Sequence, residues 1–196
     1  NILSKYNVHP RPIICNIQNT SIMLVGQAPG IREYEKRKAF QGEAGKSIKL
    51  LFKNCGLDDF NTHIYQTALV KCYPGKKVGS STDRAPSKIE QTNCLTYLVE
   101  EINTIKPKLI VTLGMLSTKA IINLNEKEFC KSEFNTILSK LKVCDIVGKT
   151  FLYNKIKVLP MIHPSGVANG IRSKNKVEHN KSIQILQQEI KNLSFL

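Results

Sequence analysis

The sequence lacks any hydrophobic run that approaches the roughly 18 residues a membrane-spanning helix needs. It also lacks a recognisable signal peptide. Neither of the glycine-rich motifs that commonly bind nucleotides is present, Gly-x-Gly-x-x-Gly or Gly-x-x-x-x-Gly-Lys-Ser/Thr. We therefore expect neither a membrane protein nor an exported one, and a nucleotide-binding α/β enzyme is disfavoured.

Cysteine is too sparse for a dense disulfide framework, because only six occur among 196 residues. A reduced, intracellular protein fits this content better. The first residue is Asn rather than Met, so we expect that an upstream piece is missing.

Acidic residues are also scarce, with 15 Asp and Glu against 29 Lys and Arg, which gives a net charge of +14. A strongly basic chain favours a polyanionic partner, most simply nucleic acid. The alternative is that part of the lysine content reflects an A/T-rich genome.

Short apolar runs alternate with amphipathic segments along the chain, and this order predicts an α/β fold. We expect a single three-layer α/β/α domain over 1–196 with a central, mostly parallel four-stranded sheet. Residues 1–20 are predicted to form an extended lead-in, and 125–150 a less regular insertion. The predicted strands are 22–25, 63–70, 109–113 and 155–159; the predicted helices are 46–55, 87–106, 115–123 and 175–193.

The fold is organised around the stretch 21–45, in which an apolar strand ends abruptly in the glycine-rich loop GQAPG. Comparable loops follow two other strands, at 71–75 and 163–166. Since the carboxyl ends of parallel strands meet at one edge of a sheet, four residues are expected in one region: Gln27, Phe40, Cys72 and His163. An ordinary βα turn and a structural histidine are the alternative interpretation.

Five short motifs occur in order: GQAPG at 26–30, AFQGEAG at 39–45, VKCYPG at 70–75, PKLIVTLG at 107–114 and MIHPSG at 161–166. In this combination the sequence resembles the uracil-DNA glycosylase superfamily, and most closely its iron–sulfur branch, often called family four. Typical motifs of that branch are GEAPG, PFVGRAG, NVVKCRPPG, PKVIVALG and HPS. The resemblance spans about residues 21–170.

The resemblance implies an enzyme of base-excision repair. Such an enzyme flips a damaged base out of DNA and hydrolyses its N-glycosidic bond, leaving an abasic site. It implies that His163 stabilises negative charge on the departing base and that Gln27 positions the attacking water. Phe40 would stack on the flipped base. The other implied base-binding residues are Gly26, Ala28, Pro29, Gly30, Ala68 and Ser165.

Two basic loops are candidate DNA contacts, one within 74–86 and one within 165–176. In the second loop, apolar residues lie among cations, which suits insertion into a base stack while phosphates are held. A solvated basic turn is the alternative. The candidate contact residues are Lys76, Lys77, Arg84, Val167, Arg172 and Lys174.

Two positions depart from the family pattern. Gln27 stands where the iron–sulfur branch usually has Glu, and an amide can hydrogen-bond a water but cannot deprotonate it. We expect this change to affect rate rather than reaction type. Ala68 replaces an Asn that reads the uracil edge, so hypoxanthine or xanthine become plausible substrates. Gln66 and Thr67 are neighbouring polar candidates for that role.

The resemblance also implies a [4Fe-4S] cluster held by four cysteines. Cys72 and Cys94 match the later pair, whereas the early pair would lie at or before residue 1. We expect a cluster in the intact protein, with two buried free thiols as the alternative. Cys55, Cys130 and Cys144 are interpreted as core or incidental cysteines, and Cys15 is the only one near the expected early pair.

Three functions are consistent with these observations. The first is a monomeric DNA glycosylase that acts on single-stranded or duplex DNA without a nucleotide cofactor. The second is a catalytically weak DNA-binding relative of the same fold. The third is an unrelated enzyme that handles free nucleotides or phosphates.

Overall fold

A computed structural model describes residues 8–16, 20–124, 140–164 and 168–193. The strands are β1 (Ile22–Gly26), β2 (Ile64–Ala68), β3 (Leu109–Leu113), β4 (Phe151–Tyr153) and β5 (Ile156–Met161). They form one sheet in the order β2-β1-β3-β5-β4. This order places a topological switch point between β1 and β3, where ligands bind in open α/β sheets.

The sheet is mostly parallel, as the sequence predicts, but it has five strands rather than four. Strands β1, β2, β3 and β5 are parallel, and β4 pairs antiparallel with β5. A tight turn joins β4 to β5 through Asn154 and Lys155, both at positive φ. With only three residues, β4 is too short to produce a recognisable alternating pattern.

The helices of the described residues are α1 (Ile31–Lys36), α2 (Glu43–Asn54), α3 (Phe60–His63), α4 (Lys88–Ile105), α5 (Met115–Leu124), α6 (Val143–Ile146), α7 (Asn169–Lys174) and α8 (Lys176–Asn192). The predicted capping box begins α4: Ser87 Oγ accepts from the backbone N–H of Glu90 at 3.3 Å, and the Glu90 carboxylate accepts from that of Ser87 at 2.7 Å. Each partner satisfies a backbone donor that the helix start leaves unpaired.

Helices cover both faces of the sheet and confirm the three-layer arrangement. On one face, side chains of α2 and α8, among them Phe52 and Leu186, pack on Leu24 and Val111. On the other face, α4 and α5 pack on the remaining strand residues, with Leu98 at the centre. The strand residues of β1 and β3 are buried on both sides, which is why these runs are continuously apolar.

The two irregular segments lie partly outside the described residues. In the lead-in, Pro12 forms an isolated antiparallel bridge with Cys72, so this segment runs beside the loop after β2. Within the predicted insertion, the described part contains the short helix α6. No helix in the described ranges has the length and apolarity required to cross a membrane.

Candidate active site

The first two strands end side by side and present the GQAPG loop at the edge of the sheet. Gly26 is in register with Ala68. Beyond the strand ends, the backbone N–H of Leu69 donates to the carbonyl of Gly26 at 2.9 Å, and that of Val70 donates to the carbonyl of Gln27 at 3.1 Å. These two bonds fix the backbone of Gln27 just beyond the sheet, beside the switch point.

The carboxylate of Glu33 joins the two glycine-rich motifs. Its Oε2 accepts from the backbone N–H of Gly30 at 3.0 Å, and its Oε1 accepts from those of Gln41 at 2.7 Å and Gly42 at 2.8 Å. Hydrogen bonds to a charged acceptor are stronger than neutral ones. Glu33 was not among the predicted site residues, although an acidic residue three positions after a helix-starting Gly was an available signal.

Phe40 is held against the ends of β1 and β2. A Cβ atom placed on Gly26 would lie 3.5 Å from Cζ of Phe40 and 3.9 Å from Cβ of Ala68. The Phe40 backbone has φ 52°, a costly conformation for a residue with a side chain. A Cβ on Gly45 would lie only 2.1 Å from the Phe40 carbonyl oxygen, so this close approach requires glycine. Phe40, Gly26 and Ala68 therefore form one apolar wall.

The polar residues next to Ala68 point in different directions. Gln66 is buried on the same face as Ala68 and donates to Asn61 Oδ1 at 3.2 Å. Thr67 lies on the opposite face and donates its hydroxyl to Glu101 at 2.7 Å. Thr67 therefore belongs to the core on the α4 side, and Gln66 is the neighbour that shares the face of Ala68.

Behind Ala68 lies an ion pair that sequence reasoning missed. Lys71 Nζ donates to Glu101 Oε2 at 2.6 Å, to Thr67 Oγ1 at 2.8 Å and to the Ala68 carbonyl at 2.8 Å. The two charged side chains are only 7% and 14% exposed. Burial lowers the pKa of Lys71, and the neighbouring Glu101 opposes that shift. This pair anchors the carbonyl at the end of β2.

His163 is the second residue after β5 and is partly buried. A Cβ placed on Gly114 would lie 3.5 Å from its Cβ, so the histidine packs at van der Waals distance from the glycine that follows β3. Since β3 separates β1 from β5, His163 and Gln27 flank the switch point about two strand spacings apart, roughly 10 Å. Burial lowers the pKa of His163, with a further contribution from the positive charge of Arg172.

The described residues thus place Gln27 and His163 beyond strands that end at one edge of the sheet, on either side of the crevice at the β1–β3 switch point, and pack Phe40 against the end of β1. A family model of the uracil DNA glycosylase superfamily matches residues 12–187 of the sequence. The chain belongs to the uracil-DNA glycosylase superfamily. Its motifs include the end of β3 and segments that follow β1, β2 and β5, so they meet at the edge of the sheet where the crevice lies.

Curated members of the superfamily are similar over most of the chain. The Type-4 uracil-DNA glycosylase of Archaeoglobus fulgidus is 31% identical over 150 residues, covering 76% of this chain and 68% of the relative. That of Sulfurisphaera tokodaii is 33% identical over 149 residues, covering 74% of this chain and 59% of the relative. A DNA polymerase of Bacillus phage SP01 is 30% identical over 146 residues, which are 13% of its length.

A second carboxylate connects this superfamily member's long basic loop to the GQAPG motif. Asp83 accepts from the Tyr73 hydroxyl at 2.6 Å through Oδ1 and from the backbone N–H of Ile31 at 3.2 Å through Oδ2. The sequence carried no signal that distinguished Asp83 from other loop residues. The contact fixes the position of the loop 74–86 next to the crevice.

The predicted DNA-contact residues have different surroundings. Lys76, Lys77 and Lys174 are exposed. Arg84, in contrast, makes a bidentate pair with Glu90 at 2.7 and 2.6 Å, and its side chain is 9% exposed. Because the Arg84 guanidinium is already paired with Glu90, a phosphate contact by Arg84 is disfavoured. Arg172 contacts His163 and Asn169; Ser165 and Val167 lie outside the described residues.

Two cysteines of this superfamily member are close enough to influence each other. Burial raises the pKa of the Cys72 thiol, and Cys94 contributes in the same direction. In the described residues, however, no group of three or more His, Cys, Asp or Glu side chains is arranged to hold a metal ion. The described chain therefore fits only half of a four-thiolate cluster site.

Among the residues that the structure describes, the other cysteines do not complete that site. Cys15 is partly buried against the core on the α4 side. Cys55 is buried, and burial raises its pKa to about 11, which is typical of an inert core thiol. Cys144 is exposed, and Cys130 lies outside the described residues.

Proposed function

We propose that the protein is a DNA glycosylase that excises uracil, or another deaminated base, from DNA in base-excision repair. The observation that supports the proposal is that Gln27 and His163 follow parallel strands that end at the same edge of the sheet, while Phe40 packs against the end of β1. The named activity of the Type-4 relatives supports it. The chain spans 68% and 59% of the two relatives quoted, so their activity is transferred here as a proposal.

The proposed reaction is hydrolysis of the bond between deoxyribose C1′ and the base nitrogen. That bond breaks with its electron pair moving to the base, and the oxygen of water bonds to C1′. The proton lost by the water ends on the base or in solvent. The sugar becomes oxocarbenium-like and the base anionic, so catalysis requires stabilisation of charge on both.

His163 supplies the group for the anionic base. Its lowered pKa favours the neutral imidazole, which still carries one N–H donor. A donor aimed at the base oxygen stabilises the charge that develops as the bond breaks. Gln27 would orient the water, since its amide can donate and accept but cannot remove a proton.

The apolar wall forms the proposed base pocket. Phe40 would stack on the flipped base, while Gly26 lets the base approach the backbone. Ala68 offers no hydrogen bond to the edge of the base, so selectivity for uracil must rest on other groups. The backbone of 26–30 and the amide of Gln66 are the available polar neighbours, and hypoxanthine and xanthine belong in the substrate test.

The exposed lysines suit contacts with DNA phosphates. Lys76 and Lys77 lie in the loop that Asp83 ties to the crevice, and Lys174 lies at the end of α7. Each neutralised phosphate makes binding more sensitive to salt. The proposal includes a monomeric state, since base flipping needs only one pocket. It also includes a single domain and an intracellular location.

An iron–sulfur cluster is part of the proposal only as a structural group. Cys72 and Cys94 would supply two thiolates, and two more would have to come from other residues. When bound, such a cluster would cross-link the loop after β2 to α4 and thereby brace the β2 end of the pocket. It has no role in the bond-breaking step proposed here.

The test is a base-release assay on labelled oligonucleotides that contain uracil, hypoxanthine or xanthine, both single-stranded and duplex. Alkali converts each abasic site into a strand break that can be counted. We expect release of one base, a loss of about a hundred-fold or more in His163→Ala, and a smaller loss in Gln27→Ala.

Lys53→Ala is the matched control, because Lys53 lies on α2 and takes no part in the proposed site. Tight DNA binding without release of any of the three bases would refute the glycosylase and favour a DNA-binding relative, consistent with the departures at Gln27 and Ala68. Cleavage of free nucleotides without activity on DNA would refute both.

A further inference from the structure

Arg172 was expected at the DNA surface, but the structure places its guanidinium on the candidate catalytic histidine. From α7, its Nη1 donates to the backbone carbonyl of His163 at 3.0 Å. Its Nη2 donates to the side-chain oxygen of Asn169 on the same helix. The planar guanidinium is thus held from two sides, and it links α7 to the residue that follows β5.

This contact has a geometric consequence for His163. The histidine lies beyond the last residue of β5, where the ladder with β3 has ended. A charged donor on its carbonyl therefore replaces the missing sheet hydrogen bond and restrains the peptide that carries the imidazole. A guanidinium is suited to this, because its donors are rigidly arranged and it is always charged.

The contact also has an electrostatic consequence. A permanent positive charge close to the imidazole disfavours its protonated form, and it adds to the effect of burial. Among the described residues, Gly114 approaches His163 from the β3–α5 junction without a charge, and His179 on α8 lies in the field of the same arginine. Among the described residues, Arg172 is a charged group that acts on His163.

We propose that Arg172 is a positioning residue that clamps the His163 peptide and holds a permanent positive charge near the imidazole, rather than a phosphate contact. The inference rests on the proposed function, because it assigns a partner to the histidine of that site. Its clearest signature is a change in His163 itself that a phosphate contact would not produce.

The test compares Arg172→Gln, Arg172→Lys and Lys174→Gln with the parent protein. The Gln variant keeps a hydrogen-bond donor and removes the charge, whereas the Lys variant keeps the charge. Lys174→Gln removes a different cation from the same helix. In the described structure, Lys174 contacts neither His163 nor Asn169. Circular dichroism and thermal unfolding establish that each variant is folded.

The first measurement is the pKa of His163. It is determined from a pH titration of the ring signals by nuclear magnetic resonance, and a His163→Gln variant identifies which signals belong to His163. We expect the pKa to rise in Arg172→Gln, to stay close to the parent value in Arg172→Lys, and to be unchanged in Lys174→Gln. An unchanged pKa in Arg172→Gln would overturn the electrostatic part of the inference. This measurement needs no enzymatic activity, so it stands even if the proposed function fails.

The second measurement separates positioning from DNA binding. We expect Arg172→Gln to lower the single-turnover rate of base release by about ten- to a hundred-fold, with the DNA dissociation constant and its salt dependence unchanged. Lys174→Gln should instead weaken binding and reduce the salt dependence. If Arg172→Gln behaved like Lys174→Gln, Arg172 would be a phosphate contact and the inference would be wrong. Absence of base release by the parent protein would refute the proposed function.

Discussion

The buried pair of Lys71 and Glu101 should be the most sensitive polar contact in the fold. In Lys71→Met the side chain keeps its length but loses the charge and three hydrogen bonds, those to Glu101, Thr67 and the Ala68 carbonyl. Removing one partner of a buried ion pair leaves the other charge uncompensated and typically costs about 3–5 kcal/mol. For a chain of this length that corresponds to a fall in melting temperature of roughly 6–20 °C.

The assay is urea unfolding at pH 7, followed by circular dichroism, with the midpoint compared at constant slope. Lys46→Met is the matched control: Lys46 and Glu43 form an ion pair at 2.7 Å, but their side chains are 73% and 86% exposed. An exposed pair of this kind contributes little to stability, because solvent screens the two charges. The two substitutions are chemically identical, so the difference between them measures the effect of burial.

A second substitution tests the cause. Adding Glu101→Gln to Lys71→Met removes the charge left behind while an amide can still accept from Thr67. We expect this to recover about 1–3 kcal/mol, which is the coupling between the two residues. If Lys71→Met cost no more than Lys46→Met, or if Glu101→Gln made it worse, the assignment of Lys71 and Glu101 as a mutually dependent buried pair would be refuted.

Three further predictions follow from the contacts. Gly45→Ala should destabilise the fold by about 1–3 kcal/mol and slow base release, because the added Cβ would collide with the Phe40 carbonyl. Gly170→Ala is the control in urea unfolding; it should be neutral or slightly stabilising, because nothing lies within 4 Å of its Cβ. Stability should fall as the pH drops below about 6.5, because His163 and His179 have lowered pKa values in the folded state and the unfolded chain then binds more protons. Urea midpoints at pH 7.5 and 5.5, measured for the parent and for His179→Gln, test this. A parent midpoint that did not fall between the two pH values would contradict the prediction. Lys77→Gln should reduce the salt dependence of DNA binding by about one counterion in anisotropy titrations. Arg84→Gln should leave that salt dependence unchanged and destabilise the fold, because Arg84 is paired with Glu90. Equal changes in the salt dependence of the two variants would mean that Arg84 leaves Glu90 to bind phosphate.

Some residues of the candidate site could be predicted from the sequence, and others could not. The loops at 26–30 and 163–166 were recognisable because each follows a buried apolar strand, and the parallel order brings their ends to one edge. Glu33 carried a local signal, three positions after Gly30, but Asp83 and Lys71 were not recognisable as site-building residues. Each acts on backbone or side-chain groups that only the folded chain brings close, and no local pattern distinguishes such a charge from a solvated one.

Arg84 and Arg172 show the same limit from the opposite side. Both lie in basic loops, and sequence alone treats every cation in such a loop as a candidate phosphate contact. Only the tertiary structure shows that one is paired with Glu90 and the other with the His163 carbonyl. The charge of a residue is a property of its type, but whether that charge faces solvent depends on the partners that surround it.

The fold class and the mostly parallel sheet could be predicted from the sequence, because apolar periodicity and glycine-rich strand ends are local properties that survive without a structure. The resemblance to the family was carried by the five short motifs. The order of the strands in the sheet, the burial of individual charges, the donors that hold the loops, and the proximity of two cysteines in the described chain became visible only in the tertiary structure. These features depend on contacts between residues about 30 positions apart or more in several cases, such as Lys71 with Glu101 and Ile31 with Asp83. Contacts of that range arise from packing, and packing is a property of the whole chain.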